Sequence, residues 1–210
     1  MRHLLNRIHP LMGFLLALCL AGAFAFLAPV EQTLGTGMRL VFFHGAWVWV
    51  GILLYVLSAV LGLIGLVTRR EMIHIYSAAL GRSALVFWVT YLPMSLMVMQ
   101  IFWNGFFFDE PRWRIPFMLG LVSLCLQVGL WLIDILKLNS LVNLLFGVVF
   151  VISMSGMQSI LHPESPVSSS SSWMIKVNFS LVFILSLFAA LWLVRFWTSQ
   201  INRRLEKSSL

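Results

Sequence analysis

The sequence predicts an all-α protein that crosses a membrane six times and keeps both termini in the cytoplasm. Hydrophobic residues make up 60% of its 210 residues and charged residues only 10%. That is more apolar side chain than the interior of a soluble domain of this length can hold. Six stretches also reach the roughly 20 mostly apolar residues that a membrane-spanning helix needs.

These stretches form a single integral-membrane domain over residues 1–210. The predicted helices are 11–30, 40–67, 78–102, 115–136, 141–161 and 174–197. We expect the first to stay in the mature protein, because it is long for a signal peptide and no small-x-small cleavage site stands out. The serine run at 168–172 predicts a short polar turn before the last helix.

The orientation follows from the basic residues. Ten of the 14 Lys and Arg residues fall on the side of both termini, and only Arg39, Arg112, Arg114 and Lys176 fall on the other. Because Lys and Arg collect in cytoplasmic segments, both termini are predicted to lie inside. The three longer connections then lie outside, and the inner connections around 69–77 and 137–140 are predicted to be short loops. The net charge of +7 therefore reflects topology, and we expect no nucleic-acid partner.

Two of the five histidines stand out. His44 lies near the outer start of the second predicted helix, and His162 lies at the outer end of the fifth. Two imidazoles at one membrane depth are what a bis-histidine metal or haem site requires; the alternative is a pair of histidines tolerated at the interface. His3, His9 and His74 are expected in the solvated tail and inner loop.

The outer connection 103–114 combines aromatic rings with both signs of charge. Its functional candidates are Trp103, Asp109, Arg112, Trp113 and Arg114. One interpretation is an aromatic belt with charged flanks at the lipid boundary. The other is a platform for a large flat ligand, with rings to stack on it and an arginine to bind its carboxylates.

Other polar residues receive structural interpretations. Asp134 and Lys137 are predicted to pair within one helix near its inner end. Four amide side chains are predicted to form interhelical hydrogen bonds, namely those of Gln100, Gln127, Asn143 and Gln158. Cys19 and Cys125 lack metal-ligand spacing and are expected to face lipid or pack between helices.

Three motifs together resemble a known family. They are His44-Gly45-Ala46-Trp47 at the start of the second helix, an aromatic loop ending in Asp109-x-x-Arg112, and Leu161-His162 at the end of the fifth helix. The pattern is similar to the CcmC/CcsA/ResC family of haem-handling proteins in cytochrome c maturation, over about residues 39–197. The chain departs from it where Phe106–Phe108 stand in place of tryptophans.

The resemblance implies a site and a function. By analogy His44 and His162 are the axial ligands of a transiently bound haem b, and Trp47 lies just beneath the first. Trp103, Asp109, Arg112 and Trp113 fall in the segment that faces the haem. Its implied partners are a haem chaperone or apocytochrome c and an ATP-binding-cassette assembly.

The sequence therefore predicts a haem-delivery protein of the cytoplasmic membrane whose functional loops face the outer, periplasmic side. It is not expected to be an enzyme, because it has no Walker motif and no nucleophile–base pair. Two alternatives stay open. One is a b-type cytochrome or membrane-anchor subunit that holds haem for electron transfer, and the other is a haem-free transporter subunit.

Overall fold

A computed structural model describes residues 9–30, 35–157, 167 and 169–208. These residues form six α-helices. In chain order they are α1 (Pro10–Phe26), α2 (Met38–Thr68), α3 (Glu71–Trp103), α4 (Pro111–Ile133), α5 (Leu136–Ser155) and α6 (Trp173–Ser208). The all-α prediction is confirmed.

Five of these helices, α2 to α6, are long and apolar enough to cross a membrane. The protein is thus built as a multi-pass membrane protein. The remaining helix, α1, has 17 residues and ends at Phe26, whereas the sequence predicted that it would extend to residue 30. An α-helix of that length measures about 26 Å at ~1.5 Å per residue, somewhat less than the ~30 Å of a hydrocarbon core.

The two short connections are tighter than predicted. Arg69 and Asp134 each adopt a left-handed conformation with φ near 55°, so each ends its helix and reverses the chain within two residues. The prediction that these two connections are short is confirmed, but their predicted bounds, 69–77 and 137–140, were wrong, since α3 already begins at Glu71 and α5 at Leu136. At the other extreme, α6 continues to Ser208, well past its predicted end at 197.

Two predictions about polar residues are wrong because these connections are shorter than expected. His74, expected in a solvated loop, lies in the first turn of α3, is only 3% exposed, and its Nδ1 is 2.6 Å from the hydroxyl of Ser140. Asp134 caps the end of α4 while Lys137 belongs to α5, so they are not an intrahelical pair.

The helices alternate in direction, which gives the bundle two distinct ends. At one end of the bundle α2, α4 and α6 begin and α1, α3 and α5 finish. We refer to this end as the His44 end. There Arg39 lies over the ring of Phe26, 4.4 Å from its centre. The opposite, His74 end brings together the start of α3 and the last turns of α6, where Ile75 packs near Ile201.

Small residues let the helices approach closely. The Cβ that Gly62 lacks would lie 2.5 Å from the backbone oxygen of Ser140, and one on Gly51 would lie 3.1 Å from the ring of Trp88. Such close approach is how helices associate where lipid supplies no hydrophobic driving force. As a result α2 sits in the middle of the bundle against both α3 and α5.

A buried polar cluster lies toward the His74 end. Gln127 donates to the side-chain oxygen of Asn143 at 2.8 Å, and Asn143 donates to the carbonyl of Ser77 at 2.9 Å. The interhelical bonding predicted for Gln127 and Asn143 is confirmed. Gln100 is exposed on α3 instead, and Gln158 lies outside the described residues.

The two cysteines are exposed and free on the surfaces of α1 and α4. Of the two alternatives predicted for Cys19 and Cys125, this exposure agrees with facing lipid and not with packing between helices. A thiol is a small apolar group in such a position, so neither cysteine requires a polar partner.

Candidate functional site at the His44 end

His44 lies in the second turn of α2, on the face that packs against α3. Its half-buried ring is tilted by 50° against that of Tyr91, with 5.6 Å between ring centres. Tyr91 is itself 3% exposed. The imidazole is therefore held between two rigid helices near the end of the bundle. A side chain that is to coordinate a metal needs such a rigid support.

Trp47 lies one turn below His44 on the same face. Its indole is stacked between the rings of Phe43 and Phe87, at 5.1 and 4.2 Å, and its N–H donates to the hydroxyl of Thr90 at 2.8 Å. The side chain is only 4% exposed. Trp47 thus joins α2 to α3 beneath His44, and its own polar atom is already bonded within the protein.

Tyr91 leads from His44 into the aromatic core. Its ring meets the edge of Trp88 at 4.8 Å, and the indole N–H of Trp88 donates to the backbone oxygen of Pro116 at 2.9 Å. This contact ties α3 to the first turns of α4. Sequence reasoning did not single out Tyr91 or Trp88, although Phe87 and Tyr91 are spaced four apart, as one helix face requires.

The predicted aromatic platform surrounds the turn between α3 and α4. Asn104 ends α3 in a left-handed conformation, which asparagine tolerates better than most residues. Three phenylalanines follow and stand open on the surface: Phe106, Phe107 and Phe108 are 54%, 40% and 53% exposed. Trp103, the last residue of α3, meets the edge of Phe107 at 5.9 Å.

Trp113 lies behind this exposed row, in the first turn of α4. It is 8% exposed, stacks on Phe117 at 4.9 Å and meets the edge of Phe108 at 5.0 Å. Its indole N–H is buried without an acceptor among the described residues. A buried donor of this kind costs free energy unless another group bonds to it.

Three of the four charged residues of the platform face outward, and the fourth, Glu110, is only 3% exposed. Pro111 begins α4, where its missing N–H costs nothing, and the carbonyl of Glu110 accepts the N–H groups of Trp113 and Arg114 at 2.9 Å. Asp109, Arg112 and Arg114 are exposed. Basic side chains therefore flank the exposed rings.

His162 lies outside the described residues. The helix that precedes it, α5, ends at Ser155, and α5 packs along α2 through contacts such as that of Tyr55 with Phe146 at 5.1 Å between ring centres. The helix that carries His44 and the helix that leads toward His162 are therefore neighbours. This neighbourhood is a precondition for the two histidines to share one ligand.

The described residues fit part of a haem site. The exposed phenylalanines offer apolar surface for a flat ring system, and Arg114 offers a guanidinium for a carboxylate. His44 offers an imidazole held by Tyr91. No cluster of three or more His, Cys, Asp or Glu residues that could bind a metal ion by themselves occurs in the described part of the chain.

Comparison with known proteins gives no match. The chain matches no protein family, no curated protein and no solved structure.

Proposed function

We propose that this protein binds haem transiently at the His44 end and presents it to an acceptor in cytochrome c maturation. The observation that supports this most is the position of His44. Its ring lies against Tyr91 between two rigid helices, at the same end of the bundle as a row of exposed phenylalanines and two exposed arginines. An imidazole, aromatic surface and guanidinium groups are the chemistry that a haem with two carboxylates needs.

In this proposal each residue has a separate task. His44 and His162 are the axial ligands, and their aromatic neighbours orient the first of them. Trp103 and the exposed phenylalanines cover one face of the macrocycle, and Trp113 supports them by packing behind Phe108. Arg112 and Arg114 bind its propionates, and Asp109 borders the same surface. Trp47 supports the site from beneath by joining α2 to α3 through Thr90.

The proposed orientation places the His44 end on the outer side of the cytoplasmic membrane. Its support is the Lys and Arg distribution, ten against four over the whole sequence. The acceptor, a haem chaperone or apocytochrome c, then meets the haem outside the cell interior. The chain carries no motif for nucleotide hydrolysis, so an ATP-binding-cassette partner would supply any energy coupling.

The visible spectrum of the full-length chain, purified after expression with added haem, tests the proposal. We expect a substoichiometric bis-imidazole spectrum that His44→Ala and His162→Ala each abolish and that added imidazole partly restores. His9→Ala is the matched control, because His9 is exposed at the opposite end of the bundle, and it should leave the spectrum unchanged.

The same measurement separates the alternatives. A stoichiometric, tightly held haem would favour a b-type cytochrome or membrane-anchor subunit, and a protein that takes up no haem would favour a haem-free transporter subunit. If His44→Ala and His162→Ala both keep the parent spectrum, the ligands lie elsewhere and the proposal fails.

A second experiment concerns the propionates. Replacing Arg112 and Arg114 together by Gln should weaken haem retention by about tenfold or more, because a charge-assisted hydrogen bond contributes roughly 1.5–3 kcal/mol. Lys176→Gln removes the same sign of charge from an exposed position at the same end and should have little effect. About half that free-energy loss in Lys176→Gln, which removes one charge against two, would mean that only the overall charge of this end matters.

A further inference from the structure

A groove lies on the surface of the His74 end, far from the proposed haem site. It is about 280 Å³ in volume and runs between α6 and the start of α3. The side chains that line it are Tyr76, Leu191, Val194, Arg195, Thr198, Ser199 and Asn202. Six of the seven belong to one face of α6, so this helix defines the long axis of the groove.

The polarity of the groove changes along α6. Leu191, which is 63% exposed, and Val194 make one end apolar. Arg195, Ser199 and Asn202 make the next two turns polar. At about 1.5 Å per residue the change takes place over roughly 16 Å. This order, from apolar to cationic to neutral polar, matches a phospholipid from its acyl chains to its phosphate and headgroup.

The polar part of the groove is suited to an anion. It contains one guanidinium, the hydroxyl groups of Tyr76 and Ser199 and the amide of Asn202, and none of the described residues that line it is a carboxylate. Thr198 already donates its hydroxyl proton to the carbonyl of Val194 at 2.9 Å, so it contributes no donor. Cationic pockets between helices at the membrane boundary bind acidic lipid headgroups in this way.

Arg195 is placed for such a contact. Its guanidinium lies 5.1 Å from the ring centre of Trp192, so a neighbouring side chain on the same helix limits its motion. Arginine binds phosphate oxygens through two parallel N–H groups and is more weakly hydrated than lysine. A guanidinium at the boundary of an apolar helix face is therefore suited to bind the phosphate of a lipid, because the membrane holds that phosphate at the same depth.

We propose that this groove binds the phosphate of an anionic glycerophospholipid, with Arg195, Ser199 and Tyr76 around the phosphate and an acyl chain along Leu191 and Val194. The site is independent of the haem proposal, because it uses none of the same residues and lies at the other end of the bundle. A bound lipid there would brace the second turn of α3 against α6.

Native mass spectrometry of the full chain released from detergent tests this site. With matched acyl chains, phosphatidylglycerol should be retained about tenfold more tightly than phosphatidylcholine. Arg195→Gln should weaken the retention of phosphatidylglycerol about tenfold, which corresponds to about 1.4 kcal/mol. Arg203→Gln is the matched control, because Arg203 is exposed on the same helix and does not line the groove.

The proposal would be overturned by equal retention of the two lipids by the wild-type chain, by unchanged retention in Arg195→Gln, or by an equal loss in Arg203→Gln. Complete displacement of the lipid by millimolar inorganic phosphate would identify a site for phosphate alone and would also overturn it. The comparison of the two lipids needs no variant, so it holds even if Arg195→Gln folds poorly. Ser199→Ala, which removes one hydroxyl, should lower retention by a smaller factor.

Discussion

Replacing Gly62 by Ala tests the contact on which the central position of α2 depends. The added methyl would lie 2.5 Å from the backbone oxygen of Ser140 and 3.3 Å from the hydroxyl oxygen of Ser77. Ordinary contacts of this type begin near 3.4 Å, so α5 would have to retreat by about 0.9 Å. The obstacle is helix backbone, which cannot rotate away as the end of a side chain can.

The expected cost follows from two effects. Overpacking a tight contact costs about 1–3 kcal/mol. The retreat of α5 would also stretch the 2.6 Å contact between His74 and the Ser140 hydroxyl, and losing a hydrogen bond costs about 0.5–1.5 kcal/mol. The higher helix propensity of alanine offsets up to about 1 kcal/mol of this loss in the free energy of unfolding. We therefore expect Gly62→Ala to lower the free energy of unfolding by about 2 kcal/mol.

The measurement is unfolding of the full-length chain in mixed micelles by titration with a denaturing detergent. Gly129→Ala is the control, because a methyl at Gly129 in α4 would meet nothing within 4 Å. It should be neutral or slightly stabilising. Equal stability of the two variants would contradict the close packing of α2 on α5 and, with it, the reason for expecting His44 and His162 to lie near each other.

Two further predictions concern the proposed site and its orientation. Trp47→Phe should cost about 1 kcal/mol of stability through the lost bond to Thr90, while the haem spectrum stays as in the parent; a lost spectrum with normal stability would mean that Trp47 touches the ligand directly. In a background without the native cysteines, an impermeant thiol reagent added outside intact cells should label Asp109→Cys and leave Lys207→Cys unlabelled. The opposite pattern would invert the proposed orientation.

The helices could be predicted from the sequence because each is a long apolar run, and hydropathy records such runs directly. The ends of the helices could not. Arg69 and Asp134 reverse the chain in a left-handed conformation that usually favours glycine, so no composition signal marks either turn. Because the turn at Arg69 is so short, His74 lies inside the bundle and not in the solvated loop that the sequence predicted.

The candidate site also contains some residues that the sequence could identify and others that only the packing of the helices reveals. The sequence identified His44 because a histidine at the boundary of an apolar helix is unusual. Its neighbour Tyr91 belongs to another helix, forty-seven residues further along the chain, and only packing brings the two rings together. Trp113 was selected as a ring for stacking, and its unbonded N–H appears only once the fold defines which acceptors lie within reach.

The packing between the two ends of the bundle bears on the choice between the candidate functions. The buried polar cluster around Asn143 lies toward the His74 end, and Tyr55 reaches toward the middle to meet Ser123, with 2.7 Å between their hydroxyl oxygens. Beyond it the rings of Tyr55, Trp88 and Phe150 contact one another at 4.8 to 5.8 Å, and all three are almost fully buried. These rings fill the interior between the polar cluster and His44. A translocated solute would have to displace them, whereas a ligand bound at the His44 end would not, so this packing favours binding at one end of the bundle over passage through it.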